Sequence, residues 1–582
     1  MTSAPSAPNR PPSPSTPPRS GSIALLAIIL CGYFMVILDN SIVITGLPHI
    51  RAELALSATA AAWVQDAYLL TFGGLLLLGA RAGDILGRRR MFVLGLAVFT
   101  LASVAVGFAP TSAWLIAART AQGVGAAILA PSTLALLTAG FPEGPERTRA
   151  TAAYGAVAGI GASVGLVAGG LFADLVSWRA GFLINLPIGV VMLVAGLKVL
   201  PETRRTPGRF DLTGAVLATL GPAALVYGFV RAGTAGWTGG GALAALGLGL
   251  VLLAALVAVE RTAAQPVLSL GLFASRERTG AYLARLLFIG AMMGFFLFTG
   301  QYLQEVRGLS ALATGVAFFP MTVVNFAVAL AVPRLRRRTS GAALLVTGLV
   351  LTVVGMGWLG TIAAGASYAL GIAFPMMLIG AGQGLAFGPL TASGIAGVDA
   401  ARAGAASGVV NSVHQLGGAL GMSFVLAVSD TYAAAMQAGA VLLLGALVAA
   451  AVLVLPASRT TPKPPAAPDP EYRPGLFRAR TVSAPRGRDQ VRGDNAGVPP
   501  RVAAAPGAAR SGDRSSHRLA GNTRGACAPA HLPGRWERDL SRPILSPARS
   551  SLSSARSSIE STAPTCDDDT VADAAPTASR PS

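Results

Sequence analysis

Along most of this chain, apolar runs of about 20 residues alternate with short polar breaks. Within each run the apolar character is continuous rather than alternating with period two, and each run is long enough to cross a bilayer. In lipid every backbone group must be satisfied inside the segment, so continuous runs read as helices. The breaks place about fourteen helices, at roughly 22–45, 62–82, 91–109, 113–138, 150–173, 180–200, 211–231, 239–259, 279–303, 311–333, 341–362, 367–390, 403–428 and 436–456. Outside them the pattern stops. Residues 1–21 are Pro/Ser-rich and residues 457–582 form a Pro/Ser/Arg/Ala tail without apolar periodicity, so both are expected to be disordered. The run from Ser22 is too long for a signal peptide and has no small-residue cleavage site, so it reads as a retained first helix.

Charge adds an orientation. Only 12% of the 582 residues are charged and 53% are hydrophobic, whereas soluble domains carry about 25% charged residues. The net charge of +19 suggests nucleic acid at first sight, but within the membrane part the arginines gather in alternate loops. One set holds Arg88, Arg89 and Arg90, Arg147 and Arg149, Arg204, Arg205 and Arg209, Arg261, Arg276 and Arg278, and Arg334 to Arg338. The other holds little beyond Arg51, Arg179, Arg231 and Arg307. Positive loops stay inside, so the first set is expected to be cytoplasmic, with both termini beside it, and no nucleic-acid partner is expected. The basic tail could contact anionic lipid or nucleic acid; the plainer reading is an extension without a role. Cys31, Cys527 and Cys566 show neither metal-ligand spacing nor a disulfide framework, and no metal site is expected.

The chain repeats itself. Helices one to six can be laid over helices nine to fourteen. Gly79–Arg90 follows the second helix, and its fainter counterpart Pro333–Gly341 follows the tenth. Glycine-rich helices stand fifth in each half, at Gly155–Gly170 and Gly404–Gly421. Two such halves around a central site are the mark of a rocking transporter. The expected divisions are a six-helix bundle at 22–200, an inserted pair at 201–260 and a second bundle at 261–456.

A charge inside a membrane span is costly, so each one is a functional candidate. Asp39 lies about six residues from the outer end of helix one, roughly 9 Å deep. Burial disfavours a charged carboxyl, so a proton can be loaded and released there; the alternative is a purely structural ion pair. Asp66 and Arg119 sit at similar depth, about four and seven residues inside their helices. Arg119 can stabilise either acid, and Asp66 is shallow enough to reach water instead. Gly161, Gly165 and Gly169, with Gly170 beside them, form a stripe that permits close helix approach and bending. In the later half Asn325, Gln383, Asn411, His414 and Gln415 fall near helix middles and could line a cavity with Phe318, Phe319 and Met376. No phosphate-binding loop is present, which argues against ATP-driven transport by this chain alone, and no catalytic constellation marks an enzyme.

In order and spacing these residues resemble the major facilitator superfamily, in its fourteen-helix drug:proton antiporter branch, the QacA/EmrB-like exporters. The resemblance covers residues 22–456. It rests on Leu38–Pro48 in the first helix, Trp63–Tyr68 at the start of the second, and Gly83–Arg90 in the loop after it. It continues with Arg119–Gly125 in the fourth, Gly161–Gly170 in the fifth, Trp178–Gly189 at the sixth, Tyr302–Gln304 and Gln415–Gly421. Two positions depart from the family pattern: Ala80 stands where it usually has Gly, and Gly165-Leu166 where its antiporters usually have Gly-Pro.

The resemblance implies an all-α integral membrane protein with the major facilitator fold, two pseudo-symmetric six-helix bundles plus two inserted central helices. Asp39 would be the proton-coupling acid, with Arg119 assisting and Asp66 as a further candidate. Asp84, Gly87, Arg88 and Arg89 would form a gating motif, and Gly161, Gly165, Gly169 and Gly170 the antiporter motif. The expected activity is proton-coupled export of small, largely hydrophobic or cationic compounds across the plasma membrane. It would need no cofactor beyond the proton gradient; the partners would be substrate, protons and the lipid bilayer, and the chain a monomer. A narrow-substrate exporter, such as an antibiotic self-resistance pump, is the near alternative. A membrane-anchored regulator or nucleic-acid binder acting through the basic tail is the distant one.

Overall fold

The computed structural model of the protein describes residues 19–141, 144–203, 205–362, 365–399 and 402–460. Most of the proline-rich start and nearly all of the basic tail lie outside the described residues. What is described forms fourteen helices long and apolar enough to cross a membrane, with no strand among the described residues. The early ones are α1 (Ile23–Glu53), α2 (Thr59–Leu86), α3 (Arg88–Gly107), α4 (Ser112–Gly140), α5 (Pro145–Leu175) and α6 (Trp178–Val199). Then follow α7 (Leu212–Ala235) and α8 (Gly240–Thr262). The later ones are α9 (Arg276–Val306), α10 (Ala311–Leu335), α11 (Gly341–Leu359), α12 (Tyr368–Gly394), α13 (Ala403–Val428) and α14 (Tyr432–Ala457).

Caps explain most of the boundaries. Ser57, Thr111, Ser177, Asp211, Ser275, Ser310, Ser340, Ser367 and Thr431 each place a side-chain oxygen on a backbone N–H of the turn they open. Gly87 takes φ 107° between α2 and α3, a conformation that costs glycine little. The first helix differs from the sequence expectation. It does not stop near residue 45 but continues through Pro48 to Glu53. Proline cannot donate to the carbonyl four residues back, and beside that gap Gln304 Nε2 of α9 donates to the Thr45 carbonyl at 3.3 Å. The contact joins α9 to α1 one residue past the carbonyl of Ile44, which the proline leaves without its helical donor.

Each group of helices supplies most of one apolar core. Ile29, Phe92, Phe99 and Leu137 are buried in the early group, and Phe288, Phe295, Met356 and Leu443 in the later one. The helices approach closely because glycine stands at the crossings. A Cβ on Gly125 would lie 2.8 Å from Phe99 Cα, and one on Gly290 would lie 2.7 Å from Gly421 Cα.

The two groups meet at two crossings, and these are the same pairing exchanged. The second helix of the early group, α2, lies on α13, the fifth of the later group; α5, the fifth of the early group, lies on α10, the second of the later. Gly73 faces Gln415 and Leu416 at the first crossing; Gly170 faces Ala311 and Leu312, and Gly315 faces Leu166 and Val167, at the second. Helix α7 sits in the groove between α2 and α13, with Gly74 against Thr219 and Gly233 against Ala427. Helix α8 packs outside it.

Replacing Gly421 by valine sets a side chain against the backbone of α9 at Gly290. Overpacking of this kind costs about 1–3 kcal/mol. The melting temperature of the detergent-solubilised variant should fall by several degrees; unchanged melting would contradict the crossing.

Candidate functional site

Asp39 and Arg119 are each 0% exposed and are joined at 2.6 Å between Oδ2 and Nη1. Hydrogen bonds between charged groups are short and strong, and here they spread into a closed ring. The same Nη1 also donates to Gln122 Oε1 at 2.6 Å. Gln122 Nε2 returns to Asp39 Oδ1 at 2.6 Å and also reaches Ser103 Oγ at 2.6 Å. Asn185 Nδ2 donates to Asp39 Oδ1 at 3.1 Å and to Ser103 Oγ at 3.2 Å. Arg119 Nε donates to the Val64 carbonyl at 3.1 Å, and the guanidinium lies over the Tyr68 ring, 4.3 Å from its centre.

Sequence reasoning placed Asp39, Asp66 and Arg119 at one depth and let Arg119 pair with either acid. The structure pairs it with Asp39. Because α1 continues to Glu53, Asp39 lies about fourteen residues, or roughly 21 Å, from the end of its helix, not six. Asp66 is not shallow either. It is fully buried and accepts from Ser423 Oγ of α13 at 2.5 Å, across the α2–α13 crossing. Its other oxygen has no partner.

The glycine stripe of α5 faces α1. A Cβ on Gly165 would lie 2.6 Å from Ser41 Cβ and 2.8 Å from the Leu38 carbonyl; one on Gly169 would lie 2.7 Å from the Ile42 carbonyl. Gly161 meets Ile37. Gly170 turns the other way, onto α10. One turn further, Asp174 accepts from the Ala311 and Leu312 backbone N–H groups at 3.1 and 2.7 Å. These are orphan donors at the start of α10, so a carboxylate of α5 finishes a helix of the later group. Helix α5 runs unbroken past Leu166, the position where the family's antiporters have proline.

At the arginine-rich face Asp84 Oδ1 pairs with Arg88 Nη2 at 3.2 Å, and Arg88 Nη1 donates to the Ala135 carbonyl at 3.0 Å. The Asp84 side chain is 41% exposed, so the pair by itself is worth little. Backbone contacts add to it: the Thr206 N–H donates to the Asp84 carbonyl at 2.8 Å, and Arg89 donates to the Leu197 carbonyl. Gly87 approaches the Glu202 carboxylate, which also pairs with Arg90 at 3.6 Å. The motif therefore ties α2, α3, α4 and the strand of chain leading to α7.

The five polar residues of the later half do not share one cavity. His414 and Gln415 line a central cavity of about 60 Å³ with Asn40 and Tyr68. Asn325 Nδ2 donates to Gln383 Oε1 at 3.3 Å, and Gln383 reaches Met292 Sδ at 2.9 Å. Asn411 donates to the Ser407 carbonyl of its own helix at 3.0 Å. Phe318 and Met376 are buried in the apolar core, while Phe319 is exposed.

Sequence reasoning assigned nothing to Gln122, Asn185 or Ser103, because a neutral polar side chain in a helix carries no signal until its partner is known. Arg285 is a different omission. It is a charged residue inside α9, 3% exposed, and the rule that selected Asp39 should have selected it.

Comparison with known proteins agrees with this architecture. Residues 29–422 match the family model described as Major Facilitator Superfamily. The cephamycin export protein CmcT of Amycolatopsis lactamdurans is 39% identical over 417 residues, covering 70% of this chain and 86% of that protein. The puromycin resistance protein pur8 of Streptomyces alboniger is 40% identical over 418 residues, covering 71% and 83%. The multidrug efflux pump LfrA of Mycolicibacterium smegmatis is 34% identical over 412 residues, covering 70% and 81%. A crystal structure of a POT family transporter in complex with a thioalcohol-conjugated peptide superposes with TM-score 0.57 at 12% identity, covering 74% of this chain and 95% of that one, which bears on the fold alone.

The ring makes a thermodynamic prediction. Arg119→Leu leaves Asp39 buried and uncompensated and should cost about 3–5 kcal/mol, whereas the Asp39→Leu/Arg119→Leu double variant should lose clearly less than the sum of the two single changes. Denaturant unfolding of the detergent-solubilised variants measures both; strict additivity would mean that the pair does not interact.

Proposed function

Because the chain belongs to the Major Facilitator Superfamily, we propose that it is a proton-driven exporter of small, largely hydrophobic compounds across the cytoplasmic membrane. The observation that carries the reading is Asp39 held at 0% exposure by Arg119. It is the acid on which a proton would change most, because protonation removes the charge that Arg119 balances. The guanidinium would keep Gln122 and the Val64 carbonyl, and the tie between α1 and α4 would weaken.

The packing gives that change a route. Helix α1 rests on the glycines of α5, and α5 holds α10 through Gly170 and Asp174. A shift of α1 against α4 therefore bears on a crossing between the two groups. With the arginine-rich loops cytoplasmic, this crossing lies towards the outer side and Asp84–Arg88 on the inner side. A proton entering from outside would loosen the outer contacts, release substrate, and leave inward once the halves have rocked. The cavity of about 60 Å³ is far below the roughly 300–1,000 Å³ of a site holding a drug-sized ligand, so this arrangement is closed around the site. One proton falling through 100 mV supplies about 2.3 kcal/mol, enough to concentrate a neutral compound roughly fiftyfold at 1.4 kcal/mol per factor of ten.

Two relatives named for a single antibiotic each, cephamycin and puromycin, support a narrower version, an exporter that removes one class of toxic compound. The proton-coupling step is common to both.

Asp39→Asn keeps the shape of the side chain and cannot exchange a proton. In reconstituted vesicles its efflux driven by a pH gradient should fall at least tenfold while substrate binding persists; efflux at the wild-type rate would sink the coupling role. Asp84→Asn should slow cycling severalfold with substrate affinity held near wild type. Lost affinity with normal cycling would remove the inner-face motif from gating.

A further inference from the structure

The early group balances its buried cation, but the later group does not. Arg285 lies inside α9 and is 3% exposed. Its Nη1 donates to Thr391 Oγ1 at 2.8 Å, its Nη2 meets His414 Nδ1 at 3.3 Å, and its guanidinium lies over the Phe387 ring at 4.6 Å. Nε is buried without a partner. Among the described residues no carboxylate forms an ion pair with it. A hydroxyl, an imidazole and a ring satisfy hydrogen bonds but bring no negative charge, and a buried charge without a counter-charge is expensive.

His414 connects this cation to the central cavity, whose wall it forms between α1, α2, α9 and α13. No Asp or Glu lines that cavity. Of the acids buried in α1 and α2, Asp39 is paired with Arg119, and Asp66 accepts from Ser423 through one oxygen while the other has no partner. The polar residues that line the space can donate as well as accept. The Tyr68 hydroxyl is buried and has no partner. With His414 Nδ1 accepting from Arg285, its N–H is on Nε2; this tautomer is assigned from that bond. The amides of Asn40 and Gln415 complete the polar lining, and Phe72 and Met293 supply apolar wall.

We infer that the central cavity takes a largely apolar compound bearing one anionic group of carboxylate type, and that Arg285, reached through His414, is the cation that selects it. The inference rests on the exporter reading above and narrows its substrate class. A carboxylate accepts from several donors at once, and Arg285, which stands behind His414 rather than in the lining, adds its positive charge through that contact. An ammonium compound would meet the positive charge of Arg285 with no carboxylate in the lining to offset it.

The test is binding to the full-length protein in lipid nanodiscs without any gradient, so that failure of proton coupling leaves the result readable. The probe is radiolabelled 2-naphthylacetate, competed by its methyl ester and by (2-naphthylmethyl)trimethylammonium. The acid should bind at least tenfold more tightly than the ammonium compound. Arg285→Gln should lower the ratio of acid to ester affinity at least tenfold, and Arg285→Lys, which keeps the charge, should lower it less. Equal affinity for acid and ammonium, or tighter binding of the ammonium compound, would overturn the inference. So would a parallel loss of acid and ester in Arg285→Gln, because Arg285 would then only tie α9 to α12 and α13.

Discussion

One buried carboxylate sets the register of most of the early helices. Removing Asp39 and Arg119 from water costs several kcal/mol for each ion, and the pair repays that only if the remaining donors and acceptors are also met. Most are met, by α1 for Asp39, α4 for Arg119 and Gln122, α3 for Ser103, α6 for Asn185, and α2 for the Val64 carbonyl and the Tyr68 ring, while Arg119 Nη2 and Asn185 Oδ1 are left without a partner. A slide of any of these helices by one residue would break a bond in a place without water to replace it. The constraint is structural, and in the proposed cycle the group that takes the proton is the group whose charge holds the bundle.

Helix α5 stands outside that ring and is placed by shape. Its glycines let it lie on α1 at backbone distance, next to the turn that carries Asp39. Its far end gives Asp174 to the first N–H groups of α10. The connection from the acid to the later group is thus made of close-packed backbone, the bond from Thr45 Oγ1 to the Leu166 carbonyl at 3.1 Å, and the two that Asp174 accepts. Close-packed backbone transmits a displacement where a looser layer of long side chains would absorb it. The second crossing, between α2 and α13, carries Asp66 and Ser423, and α7 fills its groove. Helix α7 therefore braces a surface between the groups.

The two groups repeat each other in helix order and crossings but not in charge. The early one encloses a matched ion pair, and the later one a guanidinium with neutral partners. The loop motif after α2 likewise has an acid, and its counterpart Pro333–Gly341 after α10 has none. Under the proposed function, this loss of charge symmetry would place the proton in the early group and the substrate's charge beside the later one.

The sequence by itself determined the membrane spans, because bilayer thickness converts apolar length into helix number and leaves little else to decide. It also marked Asp39 and Arg119, because a charge in such a span is too costly to be incidental. The glycine stripe was visible as spacing, although not what it would touch. The rest depended on the tertiary structure. Whether Arg119 met Asp39 or Asp66 depended on the rotation of three helices about their axes, which hydrophobic runs of this kind do not encode. The partner of Asp66 lies on α13, and the donor beside the gap at Pro48 comes from α9; a boundary rule applied locally could only stop the helix there. Gln122 and Asn185 became part of the site solely through the oxygen they share. A neutral amide gains its meaning from its neighbour, and the neighbour is chosen when the helices pack.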